Sequence, residues 1–217
     1  ARPAAGAMLL ASSWSNATYL GIPIVTAIYG AGMARVPVLF DLLALTPLLL
    51  TLGVIIGERY GKRDPKRLPL WLSLAKLPPL QIAILALILQ AARVPVPDSA
   101  LTVLGWISGF VGPLMLFALG LALRPHGLRR LPTVVPSVVI KLAVAPALAF
   151  WLAPRIGLTA EVAQVAVLEA AMPSMVLPLV IADRHRLDTD LLALAIALST
   201  LVFIGVLAGA FTLGLYN

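Results

Sequence analysis

Two apolar stretches of this chain are each interrupted by proline and small polar residues. The first interruption reads Ser-Asn-Ala-Thr-Tyr-Leu-Gly-Ile-Pro over residues 15–23, and the second reads Ala-Met-Pro-Ser-Met-Val-Leu-Pro over residues 171–178. Each lies near the middle of a stretch long enough to cross a bilayer. Hydrocarbon offers no partner to the backbone groups that a broken helix frees, so such backbone must be packed in protein or line a watery cavity. The pattern predicts a polar site at mid-membrane.

The chemistry expected of this site is the binding of an anion. Pro23 and Pro178 each suit the first turn of a new helical segment, and two helix N-termini that face one point attract negative charge. Asn16 adds two donors and an acceptor, and Gly21 permits close approach of the backbone. The candidate substrate-binding residues are Asn16, Thr18, Gly21, Pro23, Pro173, Ser174 and Pro178.

Two plainer interpretations stay open for these residues. In one, the serines and Asn16 serve only in hydrogen bonds between packed helices, which contribute about 0.6–2 kcal/mol each. In the other, the prolines produce simple kinks without a ligand. Two matched interruptions favour a binding site over kinks, since such pairs mark the substrate site in transporters.

Three ionisable side chains lie inside the predicted spans: Asp41, Glu169 one helical turn before Pro173, and Lys141 in the stretch that precedes Glu169. An unpaired charge at the bilayer centre costs about 2.5–3.5 kcal/mol on insertion scales. The short connection near 155–159 makes the two stretches antiparallel neighbours. We therefore expect either a structural ion pair between Lys141 and Glu169 or a carboxylate that couples to protons. Asp41 is expected at the membrane interface.

The composition is that of an integral membrane protein. Hydrophobic residues make up 61% of the chain and charged residues 12%, whereas soluble domains have about 45–50% apolar and about 25% charged residues. The chain has no cysteine, its histidines at 126 and 185 fall in predicted loops, and no spacing of His, Asp or Glu is typical of a metal site. We therefore expect neither an enzyme nor a cofactor, with coupling to H+ or Na+ left open.

The basic residues fix the expected orientation. Eleven of them lie in connections on one side of the predicted membrane and three on the other. Because positively charged loops stay in the cytoplasm, we expect a multi-pass protein of the cell (inner) membrane with a cytoplasmic N-terminus and an external C-terminus. These loops account for the net charge of +7, and no nucleic-acid partner is predicted. The seven predicted spans are about 4–30, 36–57, 70–92, 99–123, 132–154, 160–182 and 189–215.

The two ends of the chain repeat one pattern with opposite orientation. Residues 4–57 and 160–215 each give an interrupted span followed by a continuous one, and the first pair begins inside whereas the second begins outside. Inverted pairs of this kind are common among secondary transporters. The predicted organisation is a core (transport) domain from 1–57 and 132–217, a cytoplasmic linker at 58–69 and scaffold helices at 70–131.

At these residues the chain resembles the auxin efflux carrier family, which includes the plant PIN carriers and bacterial permeases and is related in fold to the bile acid:sodium symporters. The family's pattern of Asn, several residues and Gly-Ile-Pro in a broken fourth helix is similar to residues 16–23. Its ninth-helix pattern is similar to residues 171–178, and a further likeness runs from Pro-Pro at 78–79 to Gly-Pro at 112–113.

The resemblance implies ten helices in two inverted five-helix repeats, with two broken helices crossing in a moving core domain beside a scaffold. It implies an organic-anion substrate, and it places Asn16, Pro23, Pro173 and Pro178 at the crossover. The likeness begins at the family's fourth helix. It therefore implies that the first three helices are missing. Either the sequence is a fragment, or it is a naturally short version that a homodimer or another chain completes.

The sequence thus predicts an all-α integral membrane protein that moves a small organic anion, such as a carboxylate, by alternating access. Its expected partners are that anion, the lipid bilayer and the chain that supplies the missing helices. Two alternatives stay open: a sodium-coupled symporter on the same fold, and a non-transporting truncated membrane subunit.

Overall fold

The computed structural model describes residues 2–62, 72, 78–122 and 129–214, and within them the secondary structure is helical apart from one isolated bridge. Of the predicted regions, most of the linker at 58–69, residues 70–71 and 73–77 of the third span, residue 123 of the fourth span, the histidine at 126 and residues 215–217 lie outside this description. The helices in the described residues are α1 (Arg2–Ser13), α2 (Ala17–Tyr29), α3 (Ala31–Tyr60), α4 (Pro78–Ala91), α5 (Asp98–Ala122), α6 (Leu131–Leu152), α7 (Ala160–Ala171), α8 (Pro178–Arg184) and α9 (Thr189–Thr212).

The lengths of these helices are those of a membrane protein. Among the described residues, α3, α6 and α9 are long and apolar enough to cross a membrane. The first predicted span is divided into α1 and α2, and the sixth is divided into α7 and α8. The all-α architecture agrees with the prediction. The count of seven spans and the inverted repeat stay predictions.

Three helices contain a π-turn that ends two residues before a proline. Proline lacks an N–H, and its ring collides with the carbonyl group four residues earlier. In each case the turn before the proline widens to i→i−5 hydrogen bonding, and the helix continues through the proline. In α2, for example, the Ile22 N–H donates to the Ala17 carbonyl. The three pairs of π-turn and proline are Ala17–Gly21 with Pro23, Asp41–Leu45 with Pro47, and Ile140–Val144 with Pro146.

The helices pack into two apolar clusters, one on each side of the interruptions. The first cluster includes Leu10, Leu49 and Leu192, and the second includes Val25 and Phe203. Helix α9 contributes to both clusters and is buried over most of its first half. In a bilayer, contacts of this kind stabilise a bundle mainly through van der Waals packing. Both clusters include residues of the interruptions, Trp14 and Met175 in the first and Met172 in the second.

The end of the molecule that carries Arg2 and Arg59, here called the basic end, is held by an ion pair. The Arg130 guanidinium donates to both carboxylate oxygens of Asp188, at 3.0 and 2.6 Å. Asp188 is also the N-cap of α9, because it accepts from the Leu191 N–H at 3.0 Å. Burial alone would raise the pKa of Asp188, but the hydrogen bonds and charge of Arg130 and Leu191 hold it below its ordinary value.

His185 forms a second contact at the basic end. It follows α8, in the connection where the sequence places it, and its side chain is buried. Its Nδ1 lies 2.7 Å from the Lys62 carbonyl, and the Lys62 N–H donates to the His185 carbonyl at 2.7 Å. The ring also packs against Gly57, where a Cβ would lie 2.5 Å from Cδ2. These contacts join the end of α3 to the end of α8.

Candidate functional site

The two interruptions cross each other as a short antiparallel bridge between Ser15 and Ser174. The Asn16 N–H donates to the Pro173 carbonyl at 2.8 Å, and the Met175 N–H donates to the Trp14 carbonyl at 3.0 Å. Each interruption thus satisfies backbone groups that the other leaves free. This is the condition under which non-helical backbone persists at membrane depth.

Ser174 ties this crossing to two further helices. Its N–H donates to Ser199 Oγ of α9 at 3.1 Å, and its hydroxyl donates to the Ala11 carbonyl of α1 at 2.6 Å. Ser15, Ser174 and Ser199 are all buried. Hydrogen bonds between membrane helices contribute about 0.6–2 kcal/mol each. The serines at the crossing therefore act at least as structural connections.

The first interruption lies earlier than the prolines of the sequence indicate. The sequence predicts a second helical segment that begins near Pro23, whereas α2 begins at Ala17 and the non-helical residues are 14–16. The N–H groups of Leu20 and Gly21 both turn back to the Asn16 carbonyl, at 3.4 and 3.1 Å. Pro23 lies inside α2 and is exposed. The π-turn explains this, because it accommodates the proline within a continuous helix.

The second interruption coincides with its prolines. Residues 172–177 separate α7 from α8, Pro173 is buried at the crossing, and Pro178 is the first residue of α8. Proline suits this first position because its missing N–H would have no helical partner there. The structure thus brings Asn16, Pro173 and Ser174 together and places Pro178 at the end of the same interruption.

Asn16 has a side-chain oxygen without a hydrogen-bond partner among the described residues. The residue is 4% exposed, its Oδ1 is buried, and its side chain does not cap α2. A half-turn of the amide exchanges its acceptor for two donors. A buried amide without a partner costs about 1–3 kcal/mol. Asn16 Oδ1 is therefore a polar side-chain atom at the crossing that the described residues leave without a partner.

Thr18 is held by Asp41 of α3. The Thr18 hydroxyl donates to Asp41 Oδ2 at 2.6 Å, and Thr46 donates to Oδ1 at 3.1 Å. Trp14 Nε1 donates to the nearby Leu45 carbonyl at 3.0 Å. The half-buried Asp41 carboxylate thus connects the first turn of α2 to α3. No local sequence signal indicates this contact, because 23 residues separate Thr18 from Asp41.

Glu169 and Lys141 are both buried close to the crossing, at 1% and 2% exposure. The Lys141 ammonium donates to the Ala170 carbonyl at 2.6 Å, and neither oxygen of Glu169 has a hydrogen-bond donor. The direct ion pair that was one of the two predicted roles is therefore not formed between these described residues. Glu169 instead packs against Gly21, where a Cβ would overlap Oε1 and lie 2.6 Å from Oε2.

A cavity of about 420 Å³ lies beside the second interruption, between α2, α6 and α7. Its lining includes Leu168 and Ala171, which flank Glu169 and the interruption, and the polar side chains of Tyr29 and Gln164. The rest of its wall is largely apolar. Cavities with mostly apolar walls and a few polar groups are typical of sites for small organic molecules.

The sequence profile of the family described as "Membrane transport protein" matches residues 2–210 of the chain. The chain belongs to this family of membrane transporters. The match confirms the resemblance to the auxin efflux carriers that the interrupted segments indicated. Membership in the membrane transport protein family also agrees with the apolar helices.

Two relatives in the membrane transport protein family come from archaea. The chain is 32% identical over 201 residues to an uncharacterized transporter of Methanocaldococcus jannaschii, and 31% identical over 202 residues to one of Methanothermobacter thermautotrophicus. Each alignment covers 90% of this chain, but only 64% and 63% of the two relatives. The chain thus spans less than two thirds of the length of these relatives.

Proposed function

We propose that this chain forms the crossover part of a secondary transporter that moves a small organic anion across the cell membrane by alternating access. The observation that carries the proposal is the crossing of two interrupted helices beside the unpartnered, buried amide of Asn16. In transporters, discontinuous helices of this kind form the substrate site near the bilayer midplane. Membership in a membrane transporter family supports the same activity.

The proposed site accepts a carboxylate next to the start of α2. Asn16 turns its amide donors toward the substrate, Thr18 and Gly21 form the first turn around it, and the segment from Pro173 through Ser174 to Pro178 forms the opposite wall. The first N–H groups of a helix have no partner in the helix and carry partial positive charge. In the alternating-access cycle, the core segments 1–57 and 132–217 move against the scaffold at 70–131, with 58–69 as their connection.

We extend this proposal to the orientation of the chain in the membrane and to its partners. We place the basic end in the cytoplasm, because basic connections are retained there. We also propose that a second copy or another chain covers α4 and α5, which expose Ile82, Leu87, Trp106 and Phe110 by 63–68% of their surface. No nucleic acid takes part, and neither an enzymatic step nor a bound cofactor is proposed.

Uptake into sealed vesicles tests the proposed activity. The chain is reconstituted in phosphatidylethanolamine and phosphatidylglycerol, and uptake of radiolabelled malate, succinate and indole-3-acetate is compared with empty vesicles. Asn16→Ala is expected to lower uptake at least about tenfold, equivalent to about 1.4 kcal/mol of lost binding. Ser108→Ala is the control, because this exposed serine bonds only its own helix.

Two results would contradict this proposal. Uptake by Asn16→Ala that equals that of Ser108→Ala would remove the site assignment. The absence of any uptake by the unaltered chain would favour a non-transporting membrane subunit. Replacing sodium by potassium tests the sodium-coupled alternative, because a sodium-coupled symporter would then stop taking up the anion.

A further inference from the structure

Glu169 is a buried carboxyl group that the proposed substrate site does not use. It is 1% exposed, and both of its oxygen atoms are buried without a hydrogen-bond donor in the part of the chain that the structure describes. Nearly all buried polar groups in proteins have a partner, and an ionised carboxylate without one is very costly in an apolar interior. The Glu169 carboxylate therefore requires a bound positive species, and the groups around the carboxylate indicate which species fits.

Three elements pack around this carboxyl group. On α2, Gly21 allows the closest approach, since the oxygen atoms occupy the space that a Cβ would take. From α6, Lys141 adds a positive charge nearby, and from α3, Asp41 adds a negative one that Thr18 and Thr46 already satisfy. The carboxyl group is thus enclosed by backbone on one side and by a fixed cation on another.

This environment suits a proton better than a metal ion. Hard cations take six or more oxygen ligands, mostly from carboxylates and carbonyl groups. In the described part of the chain, no group of three or more His, Cys, Asp and Glu side chains could hold a metal. The charge of Lys141 repels a metal ion, and Gly21 leaves no space beside Oε1. A proton needs neither space nor additional ligands.

We propose that Glu169 binds the proton that this transporter carries together with its substrate anion, an inference that rests on the proposed function. The proton comes from water on one side, adds to a carboxylate oxygen of Glu169, and is released to water on the other side. Glu169 lies four residues before Pro173, so the proton and the anion occupy neighbouring turns. An ionised Glu169 and the substrate anion would repel each other at this distance in a low-dielectric interior. Binding of the proton therefore assists binding of the anion, and binding of the anion assists binding of the proton.

Lys141 keeps the charge of this centre balanced in both halves of the cycle. When the carrier is empty, its ammonium compensates the Glu169 carboxylate. When the carrier is loaded, its ammonium compensates the substrate anion, because Glu169 is then a neutral acid. Lys141, Glu169 and a singly charged substrate anion thus add no net charge in either form, which matters because a charge at the bilayer centre costs several kcal/mol. The π-turn Ile140–Val144 contains Lys141, and π-turns occur frequently at functional sites.

Infrared difference spectroscopy tests the proton site without a substrate. In the substrate-free protein, the C=O stretching band of a neutral carboxylic acid is expected to appear as the pH is lowered and Glu169 takes up its proton, and Glu169→Gln should remove it. Glu161→Gln is the matched control, because Glu161 is an exposed residue at the start of the same helix. A titration of the unaltered protein gives a second reading, since the band should disappear at alkaline pH. The absence of the band in the unaltered protein would overturn the proposal.

Vesicle uptake then tests the coupling. With the membrane potential clamped, a gradient of one pH unit is expected to drive about tenfold accumulation of whichever of the three anions the chain takes up. Glu169→Gln should abolish this accumulation while anion exchange across the membrane persists. Anion accumulation that does not depend on the pH gradient, or that follows a sodium gradient, would contradict the proposal. If none of the anions is taken up, the proposed function fails, and the infrared result still decides whether Glu169 holds a proton.

Discussion

The two interruptions that cross in this structure are broken in different ways. The second lies between Pro173 and Pro178, so its own sequence removes backbone donors that a continuous helix needs. The first, residues 14–16, contains no proline. Its backbone is held open by two hydrogen bonds with the second interruption, one donated by the Asn16 N–H and one accepted by the Trp14 carbonyl. One break is built into the local sequence, and the other depends on its partner.

The largest effect is expected from joining the two interruptions covalently. Ser15 and Ser174 are directly opposed, and their flanking bonds make them a non-hydrogen-bonded antiparallel pair, for which the Cα atoms lie about 4.5 Å apart. This separation is within the range of disulfides. In the cysteine-free chain, Ser15→Cys with Ser174→Cys should form a disulfide in most molecules, measured as lost maleimide labelling after mild oxidation.

The control for this pair combines Ser174→Cys with Thr102→Cys. Thr102 is exposed on α5 and bonds only within its own helix, so this pair should keep both thiols reactive. Equal protection of the two pairs would show that the interruptions do not meet as described.

A smaller loss is expected where the first interruption contacts Glu169. Gly21→Ala places a methyl group 2.6 Å from Oε2 and 2.8 Å from Cδ of Glu169. Overpacking of this kind costs about 1–3 kcal/mol, which should lower the unfolding midpoint in detergent. Gly205→Ala is the matched substitution in α9, where no atom lies within 4 Å of the new Cβ. Similar midpoints for the two variants would contradict the contact.

Removing Pro23 should change stability by less than about 1 kcal/mol, because the π-turn already accommodates this proline. The first interruption should remain open, so that the Ser15 and Ser174 cysteine pair still forms its disulfide in Pro23→Ala. The combination Pro173→Ala with Pro178→Ala is the comparison, and it should reduce disulfide formation by letting α7 and α8 join. The reverse result would mean that proline opens the first interruption as well.

The smallest effect is expected at the ion pair of the basic end, far from both interruptions. The pKa of Asp188 is lowered in the folded protein. The resulting stabilisation is fully present above the ordinary aspartate pKa of about 3.9 and is lost as the pH falls through the lower folded value. Thermal unfolding in detergent between about pH 5 and pH 2 should depend less on pH in Arg130→Met than in the unaltered chain. Identical pH profiles would remove Arg130 as the cause.

The sequence predicts those parts of the site that depend on local rules. Pro173 and Pro178 locate the second interruption because proline acts on its own turn. Asn16 stands out because an amide is rare in an apolar stretch. The true start of α2, the bonds from Thr18 to Asp41 and from Ser174 to Ser199, and the contact of Gly21 with Glu169 depend on which helices become neighbours. A single sequence carries no local signal for these pairings.

The π-turns change which side chains of these helices share one face. Each one contains one residue more than ordinary winding would need, so every side chain beyond it is displaced by about 100° around the axis. Helix α3 has two such turns, Asp41–Leu45 and Leu49–Gly53. A 3.6-residue period therefore assigns side chains to the wrong face of α3 beyond each of its two π-turns. It also follows that deleting one residue inside such a turn restores regular winding, whereas the same deletion elsewhere would rotate half of the helix away from its contacts.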